Sequence, residues 1–456
     1  MDGQECPSYR PQILQPCIEP HTQRIILGTM ATFTSFAIVV TIQPPFASRQ
    51  LKAMTTLTTD PGEFAAFQSQ LDRPLDAKVR ELQHQGRLHH MIFGAQLTPE
   101  LLEKLRAIAD IIRSMARHRK SNDRLRQLLP HKRAMLYFTQ PSTRTFLSFT
   151  AACQILGVTC NEVRDPKSSS EVKRESRLDS IRMFSSYFDV IIMRSEVSRF
   201  AECCSYMMND LERQEMRSVP VINAGSGSDE HPTQALLDMY TILRTFDFDQ
   251  SDKAKSSRLA QLREKYPDLE PSPNQKTYLF CGDIHRGRTV RSLATVLAQY
   301  SGVKLYFASP DHETLRLDSK LRERLTDAGA EVREFRSLDE DCDGQSVLSQ
   351  ADCVYMTRIQ REHNSKTESD ELESLDLSQF QLTADRVATM KDFAPIMHPF
   401  PRDSVVDELP VAVDADPRAM YFRQARNGMW ARAALLVHLF DAVDSLYMAR
   451  DEVGVR

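Results

Sequence analysis

Residues 135–149 read "MLYFTQPSTRTFLSF", and this stretch indicates how the whole chain is organised. The apolar residues at 135–138 have the length and composition of a buried strand, and apolar residues at helical spacing follow as far as Leu156. The first turn of that helix carries three hydroxyls and a guanidinium, from Ser142, Thr143, Arg144 and Thr145. Unpaired backbone N–H groups give a helix N-terminus a partial positive charge, so donors gathered there favour an anion, above all a phosphate. Ser142 or Thr143 could instead be an ordinary helix N-cap, and the stretch alone leaves both interpretations open.

Short apolar runs alternate with helical patterns from about Arg87 onward. The predicted strands are 134–138, 158–163, 189–193, 219–223, 277–281, 303–307, 331–335, 352–356 and 395–398. The predicted helices include 145–156, 178–187, 197–213, 231–245 and 288–300. This alternation requires crossovers between parallel strands, and it predicts an α/β fold with two doubly wound parallel-sheet domains. Ligands of such folds bind outside the carboxyl ends of the strands.

Shifts in composition divide the chain into regions. Residues 1–86 are predicted to be a mostly disordered N-terminal extension, so a chain that begins near Asp76 should still fold. The other predicted regions are a first domain at 87–245, a polar insertion at 246–275 with a short helix over 256–265, a second domain at 276–417, and a C-terminal helix at 418–450 that completes the first domain. Two interdomain helices are expected to join the domains.

One uncharged stretch lies inside the extension, at Ile25–Ile42. Its length barely reaches that of a membrane span, and several Thr residues dilute its hydrophobicity. It lacks a basic segment near the start of the chain, which argues against a signal peptide. We therefore predict a cytoplasmic protein, with organellar targeting and a weak N-terminal anchor as alternatives.

Overall composition excludes several classes of protein. The chain is 41% hydrophobic and 26% charged with a formal net charge of −4, which is ordinary for a globular protein and gives no support for binding nucleic acid or anionic membranes. Nine cysteines without Cys-x-x-Cys spacing predict buried thiols in a reducing compartment, without a structural zinc site or another metal site.

Polar motifs follow many of the predicted strands. They are Arg194 after "DVIIM", His231 and Gln234 in "NAGSGSDEHPTQALLD", Arg288 and Thr289 in "GDIHRGRTV", Arg358 and Gln360 in "YMTRIQRE", and Phe400 and Pro401 in "HPFPR". Each has a plainer alternative, such as a solvated strand-end Arg or a capping His. Taken together with Arg144, four Arg, a His and two Gln at strand ends suit a substrate with several negative charges, and they argue against hydrolysis by paired carboxylates.

The residues from about Arg87 to Asp444 resemble the catalytic chains of the aspartate/ornithine carbamoyltransferase family. The resemblance is carried, in order, by "PSTRT", "DVIIMR", "NAGSGSDEHPTQALLD", "GDIHRGRTV", "YMTRIQRE", "HPFPR" and "DPRAMYFRQARNGMWARAALL". It is closer to the aspartate enzymes, because the ornithine enzymes have His-Cys-Leu-Pro where this chain has His398-Pro-Phe-Pro. An ornithine ammonium would need acidic neighbours, whereas the second carboxylate of aspartate needs Arg288 and Arg358.

The resemblance implies transfer of a carbamoyl group from carbamoyl phosphate to L-aspartate, a step of pyrimidine biosynthesis, without a cofactor. It implies a carbamoyl phosphate-binding domain at 87–245 and an aspartate-binding domain at 276–417. By motif, Ser142, Thr143, Arg144 and Thr145 would hold the phosphate, while Thr145, Arg194 and His231 would polarise the carbamoyl carbonyl. Gln234 would bind the carbamoyl NH2 group. The aspartate site would comprise Arg288, Thr289, Arg358, Gln360, Phe400 and Pro401.

A charged loop, "DPKSSSEVKRESRLDS", matches a segment that the family inserts into the active site of a neighbouring subunit. Its Ser169 and Lys173 would contact carbamoyl phosphate, and Lys173 also aspartate, which implies a homotrimer with shared active sites. A solvated loop is the plainer alternative.

The sequence departs from the family pattern at five positions, which are Gln140, Phe146, Arg174, Ser226 and His363. These departures leave open a carbamoyltransferase with a different amine acceptor. A non-catalytic ligand-binding paralogue is a further alternative, although no residue of the phosphate motif is missing.

Overall fold

Two parallel β-sheets form the frame of the protein. The computed structural model describes residues 62, 64–165, 175–227, 229–247, 261–262, 264–360 and 375–454. Its strands are β1 (Gln83–His84), β2 (Arg87–Leu88), β3 (Arg133–Phe138), β4 (Thr159–Val163), β5 (Val190–Arg194), β6 (Val221–Asn223), β7 (Thr277–Cys281), β8 (Lys304–Ala308), β9 (Glu331–Phe335), β10 (Asp341–Cys342), β11 (Gln345–Ser346), β12 (Cys353–Met356) and β13 (Ile396–Met397). The first sheet has the order β4-β3-β5-β6 and the second has the order β13-β12-β7-β8-β9.

Helices fill the connections between the strands. The described α-helices are α1 (Gln68–Leu71), α2 (Leu75–Glu81), α3 (Pro99–Met115), α4 (Arg119–Leu125), α5 (Thr143–Leu156), α6 (Arg177–Tyr187), α7 (Phe200–Arg213), α8 (Pro232–Phe246), α9 (Arg288–Leu297), α10 (Ser319–Asp327), α11 (Val347–Gln350), α12 (Ala384–Thr389), α13 (Tyr421–Leu439) and α14 (Val443–Glu452). Short 3-10 turns lie at Ala65–Phe67, Gly94–Gln96, Ser378–Phe380 and Val411–Ala415.

Both faces of the inner strands of each sheet are buried, as expected for parallel strands covered by helices. Along β3, Leu136 packs into the largest hydrophobic cluster, while its neighbour Tyr137 packs into another. Along β7, Phe280 belongs to the same large cluster as Leu136, and Leu279 faces a different one. The two sheets therefore share one continuous core, to which α3, α8, α9 and α13 contribute.

The strand order of each sheet reverses once. In the first sheet β3 lies between β4 and β5, and in the second sheet β7 lies between β8 and β12. A crevice opens at the carboxyl ends of the strands where the order reverses, and it is the usual ligand site of open α/β sheets. The register brings these ends level, because Phe138 pairs with Arg194 and Cys281 pairs with Met356.

The pattern of strands and helices predicted from the sequence is confirmed. All nine predicted strands are present within one or two residues of their predicted bounds, and each of the five predicted helices is present, with ends that shift by three residues at most. The C-terminal helix predicted over 418–450 is wrong in one respect, because a turn at Asp441 with a φ of 54° divides it into α13 and α14. The two short hairpins, β1–β2 and β10–β11, were not predicted.

Part of the segment predicted to be a mostly disordered extension, residues 64–86, is folded. Phe64, Phe67 and Leu71 are buried in a hydrophobic cluster with Phe200 of α7, whose ring stacks on Phe64 at 5.8 Å between centroids. Phe64, Phe67 and Leu71 thus join the folded core, which the sequence analysis did not expect, while folding of a chain that begins near Asp76 stays a prediction.

Several predictions cannot be compared with the structure. The disorder predicted for residues 1–61, the stretch Ile25–Ile42 and most of the helix predicted at 256–265 lie outside the described residues. Among the helices that the structure does describe, none combines the length and the hydropathy needed to cross a membrane. The predicted domain boundaries stay predictions.

Candidate active site

A cleft of about 760 Å³ lies where the strand ends of both sheets face each other. It is lined by every predicted site residue within the described part of the chain, namely Ser142, Thr143, Arg144, Thr145, Arg194, His231, Gln234, Arg288, Thr289, Arg358, Gln360, Phe400 and Pro401. Residues from four separate strand ends and three helix starts therefore meet in one place. Ser169 and Lys173 lie outside the described residues, so their predicted roles stay predictions.

The cleft is strongly basic. Among the described residues it is lined by six arginines and by no carboxylate; the arginines are Arg144, Arg194, Arg288, Arg358, Arg426 and Arg432. Burial, followed by repulsion from Arg288, Arg144 and Arg432, lowers the pKa of Arg194 to about 9. Burial and the charge of Arg358 lower the pKa of Arg144 as well. So many guanidinium groups in one cleft are costly without an anion to bind.

The turn after β3 presents its donors to the cleft. Ser142 occupies the N-cap position of α5, yet its side chain makes no capping hydrogen bond. The hydroxyl oxygen of Thr145 lies 3.5 Å from Nε2 of His231. Arg144 stands over the ring of Phe400 at 5.8 Å, so a residue after β3 meets the turn after β13. The N-terminus of α5 therefore faces the middle of the cleft with free donors.

His231 begins α8 and is buried and neutral. Burial, with the charges of Arg194, Arg432 and Arg288, lowers its pKa well below the usual value of a histidine. Its backbone N–H donates to Oγ of Ser292 on α9, and its Nδ1 has no partner among the described residues. A neutral imidazole can donate one hydrogen bond to a ligand without acting as a strong acid.

Gly225 allows His231 and Arg194 to approach each other. Its φ is +96°, and an added Cβ would lie 2.7 Å from Cδ2 of His231 and 2.9 Å from Nη1 of Arg194. Any other residue would be strained in its backbone and would displace both side chains.

Gln234 is oriented by a buried carboxylate that the sequence analysis missed. Asp238 accepts hydrogen bonds from Nε2 of Gln234 at 2.9 Å, from Nε2 of Gln424 at 2.6 Å and from the hydroxyl of Tyr355 at 2.8 Å. Because Nε2 of Gln234 is occupied by Asp238, its Oε1 is left to accept from a donor on a ligand.

The same network reaches the turn after β13. Oε1 of Gln424 accepts from the backbone N–H of His398 at 2.9 Å, and Nδ1 of His398 accepts from the N–H of Phe400 at 2.8 Å. Nε2 of His398 therefore carries the proton and donates to Glu408 at 2.9 Å. Asp238 thus links the side of the cleft formed by the first sheet to the side formed by the second.

The arginines on the second side are positioned by backbone carbonyls. Nη1 of Arg288 donates to the carbonyl of Gly225 at 2.8 Å, and Oε1 of Gln140 lies 3.4 Å away. The backbone N–H of Gln360 donates to Oδ2 of the buried Asp283 at 3.1 Å, which fixes the turn that carries Arg358. These contacts leave the remaining guanidinium donors of Arg288 for a ligand.

Arg432 is the clearest residue that sequence reasoning missed. It lies within α13, is buried, stacks on the ring of Phe149 at 4.8 Å and donates from Nη1 to Oγ of Ser148. It forms no ion pair with any acidic residue that the structure describes, and burial lowers its pKa to about 9. The sequence did contain a signal for this residue, because an arginine inside the apolar stretch "WARAALLVHL" is not typical of a plain surface charge.

Three of the departures from the family pattern have local explanations. Phe146 is a core residue whose ring meets Phe138 edge-on at 5.4 Å. Oγ of the buried Ser226 accepts from the N–H of Ser195 at 3.1 Å, which holds the loop beside Arg194. Gln140 contacts Arg288 as described above. Arg174 and His363 lie outside the described residues.

The described residues that line the cleft include no cluster suited to a metal. One group of potential metal-binding side chains does occur in the described part of the chain, away from the cleft, where ring nitrogens of His84, His89 and His90 lie within 4.8 Å of one another. Both nitrogens of His90 are already engaged, by Asn209 and by the N–H of Val221. The seven described cysteines are free thiols, and all but Cys160 are buried.

Family profiles cover most of the chain. The profile described as "Aspartate/ornithine carbamoyltransferase, carbamoyl-P binding domain" matches residues 89–244, and "Aspartate/ornithine carbamoyltransferase, Asp/Orn binding domain" matches residues 274–439. The chain is 37% identical over 414 residues to a protein of Arabidopsis thaliana named "Aspartate carbamoyltransferase, chloroplastic", with 89% of each chain covered.

Solved structures share the fold. The catalytic subunit of M. jannaschii aspartate transcarbamoylase matches with a TM-score of 0.59 and 32% identity, covering 78% of this chain and 99% of that one. Aspartate transcarbamoylase from Trypanosoma cruzi, in complex with carbamoyl phosphate and aspartate, matches with a TM-score of 0.59 and 29% identity, covering 77% and 96%. A complex of the T. cruzi enzyme with N-(phosphonacetyl)-L-aspartic acid matches with a TM-score of 0.57 and 28% identity, covering 77% and 95%.

Proposed function

We infer that this chain, which belongs to the aspartate/ornithine carbamoyltransferase family, transfers the carbamoyl group of carbamoyl phosphate to the amine of L-aspartate, releasing phosphate. The observation that carries this function is the cleft with six lining arginines and no lining carboxylate among the described residues. Carbamoyl phosphate and aspartate together bring several negative charges, which such a cleft is suited to bind.

The phosphate half of the substrate is assigned to the turn after β3. Ser142, Thr143 and Thr145 supply hydroxyl donors, the start of α5 supplies backbone N–H groups, and Arg144 supplies the charge. The Ser142 hydroxyl that makes no cap bond supports this assignment.

The carbamoyl group is assigned to the space between Thr145, Arg194, His231 and Gln234. Thr145, Arg194 and His231 donate to the carbonyl oxygen, which becomes negatively charged when the amine attacks. Gln234 accepts from the carbamoyl NH2 through the Oε1 that Asp238 leaves free. The carbon–nitrogen bond forms as the carbon–oxygen bond to phosphate breaks, and holding both substrates in line accounts for catalysis without a covalent enzyme intermediate.

Aspartate is assigned to the second side of the cleft. Arg288 and Arg358 face its carboxylates, Thr289 and Gln360 add polar contacts, and the backbone of Phe400 and Pro401 closes the site. An acceptor with a side-chain ammonium, such as ornithine, would meet only like charges among the described lining residues.

A carbamoyl-transfer assay tests this function. The purified chain is given carbamoyl phosphate with aspartate, ornithine or other amines in competition, and products are identified by mass. We expect carbamoyl-aspartate, and we expect Arg144→Ala and His231→Ala each to lower turnover by at least about 100-fold, the scale for losing one oxyanion or anion donor. Another carbamoylated amine would establish the paralogue with a different acceptor. Binding of carbamoyl phosphate without turnover would establish the non-catalytic one.

Assembly and location are part of the same proposal. We propose a homotrimer in which Ser169 and Lys173 enter the cleft of a neighbouring subunit, since an ammonium there would face the substrate carboxylates and phosphate. Mixing inactive Lys173→Ala and Arg144→Ala chains should then restore activity, because some hybrid interfaces combine both wild-type residues. Absence of rescue despite proven subunit exchange would contradict the shared site.

We propose that the first residues of the chain are an organellar targeting segment, because one relative is named as chloroplastic. This proposal replaces the cytoplasmic location that we predicted from the sequence. Fluorescent fusions with and without residues 1–61 decide between them. We propose that the reaction belongs to pyrimidine biosynthesis. A strain that lacks this protein should then grow only when pyrimidines are supplied.

A further inference from the structure

A second cavity lies next to the cleft, on the opposite face of α13 and further along α8. Its volume is about 320 Å³, and Arg113 of α3 and Thr241 of α8 form part of its wall. Residues 423, 427 and 430 of α13 face this cavity, whereas residues 425, 429 and 432 of the same helix face the cleft. Only Arg426 borders both among the described residues.

The charged side chains that line this cavity are all positive among the described residues. Five arginines line it and no carboxylate does, among the described residues; they are Arg113, Arg244, Arg418, Arg423 and Arg426. Arg244 is neutralised by Asp110, and Arg418 by Asp416 at 2.8 Å. The other three form no ion pair with a described acidic residue; Arg113 is half-buried, Arg423 and Arg426 are exposed, and Arg423 donates to the sulfur of Met420 at 3.8 Å. Three uncompensated guanidinium groups around a concave space favour a dianion.

The rest of the wall is apolar. Leu262, Phe393, Pro395, Pro417 and Trp430 enclose the space between the arginines. A volume of about 320 Å³ is at the small end of ligand sites and suits a sugar or a nucleoside that carries one phosphate. We propose that this cavity binds a phosphomonoester of about mononucleotide size, with its phosphate between Arg113 and Arg423 and its ring against the apolar wall. This site goes beyond the proposed function and does not depend on it.

The structure supplies its own reporter for a test. Trp430 is the single tryptophan of the chain and lines the proposed site, so its fluorescence reports occupancy directly. The full chain is titrated with AMP, with ribose 5-phosphate and with adenosine, in the presence and absence of N-(phosphonacetyl)-L-aspartate to occupy the cleft. We expect a saturable change with the two phosphomonoesters and none with adenosine. We also expect the change to persist when the cleft ligand is present.

Matched arginine variants locate the binding. Arg113→Gln and Arg423→Gln should each weaken binding of AMP by about 10-fold or more, the scale of one charge-assisted contact. Arg182→Gln, at an exposed arginine that lines neither cavity, and Arg144→Gln, in the cleft, should leave it unchanged. No saturable change, an equal response to adenosine, or a loss of binding in Arg144→Gln rather than in the two cavity variants would overturn the proposal. Competition between AMP and N-(phosphonacetyl)-L-aspartate would also overturn the proposal. None of these outcomes tests the carbamoyl-transfer activity.

Discussion

Replacing Arg432 with Met separates the requirements of stability from those of anion binding. The guanidinium of Arg432 is buried beside the cleft without an ion pair to a described acidic residue, and its Nε has no hydrogen-bond partner there. Met has a stem of similar length without the charge, and it can still pack against the ring of Phe149. We expect Arg432→Met to make the unliganded protein more stable and less active.

The magnitude follows from the surroundings of the side chain. Burial lowers the pKa of Arg432 to about 9, and at ~1.4 kcal/mol per pKa unit the charge costs roughly 4–5 kcal/mol of stability. The variant loses the stacking on Phe149 and the hydrogen bond to Ser148, which contribute about 1–2 kcal/mol each. A net gain of about 1–2 kcal/mol remains, and for a chain of this size it should raise the melting temperature by about 1–2 °C.

Activity should move in the other direction. A charged donor at the cleft contributes about 1.5–3 kcal/mol to binding an anion, so kcat/KM for carbamoyl phosphate should fall by about 10-fold to 100-fold. Urea unfolding and steady-state kinetics measure the two effects, with the exposed Arg182→Met as the control that should change neither. A variant that is less stable and fully active would refute this reasoning, because Arg432 would then be a structural residue.

The remaining predictions concern other parts of the molecule. Gly225→Ala should lower kcat by at least about 10-fold, because the added Cβ displaces the catalytic side chains. Gly329 has a similar φ of +94° but open space around it, so Gly329→Ala should lower the stability of the protein and leave kcat unchanged. NMR should show that the ring of His231 is still neutral at pH 6.5, where a free imidazole is half protonated. Since its folded pKa lies below its unfolded one, its contribution to stability is complete above pH 6.5 and is lost as the pH falls below that value. Removing residues 1–61 should leave the melting temperature unchanged, whereas removing residues 1–75 should lower it by at least about 5 °C, because buried apolar side chains leave the core.

The sequence predicted best those features that depend on local periodicity. Buried parallel strands are nearly continuous apolar runs, so β3 and β7 could be located, and Arg194 and Arg358 could each be placed at the carboxyl end of a strand. The motifs after the strands were informative because ligands bind there in this class of fold. For these reasons the lining of the cleft was largely predictable.

The features that were missed depend on tertiary contacts. Asp238 and Gln424 lie within helical patterns, where a polar residue usually faces solvent, and only the packing of α8 against α13 reveals that they share a hydrogen bond. Phe64 and Phe67 lie in a segment too short and too polar to show a period, yet they fill a gap beside α7. Local sequence could not reveal these contacts, because the partners are distant in the chain.

The position of α13 has a consequence for biosynthesis. This helix packs on α3, α5 and α8 and fills the core beside the first sheet, although about 265 residues separate its start from the end of α5. At the usual ~5–20 residues per second, the ribosome needs roughly 15–60 s to add them. During that time the nascent chain presents the apolar faces of α3 and α5, including Leu105, Ile108 and Phe149, without the helix that covers them. The first half of the protein must therefore wait for the last helix, and molecular chaperones have that interval in which to bind it.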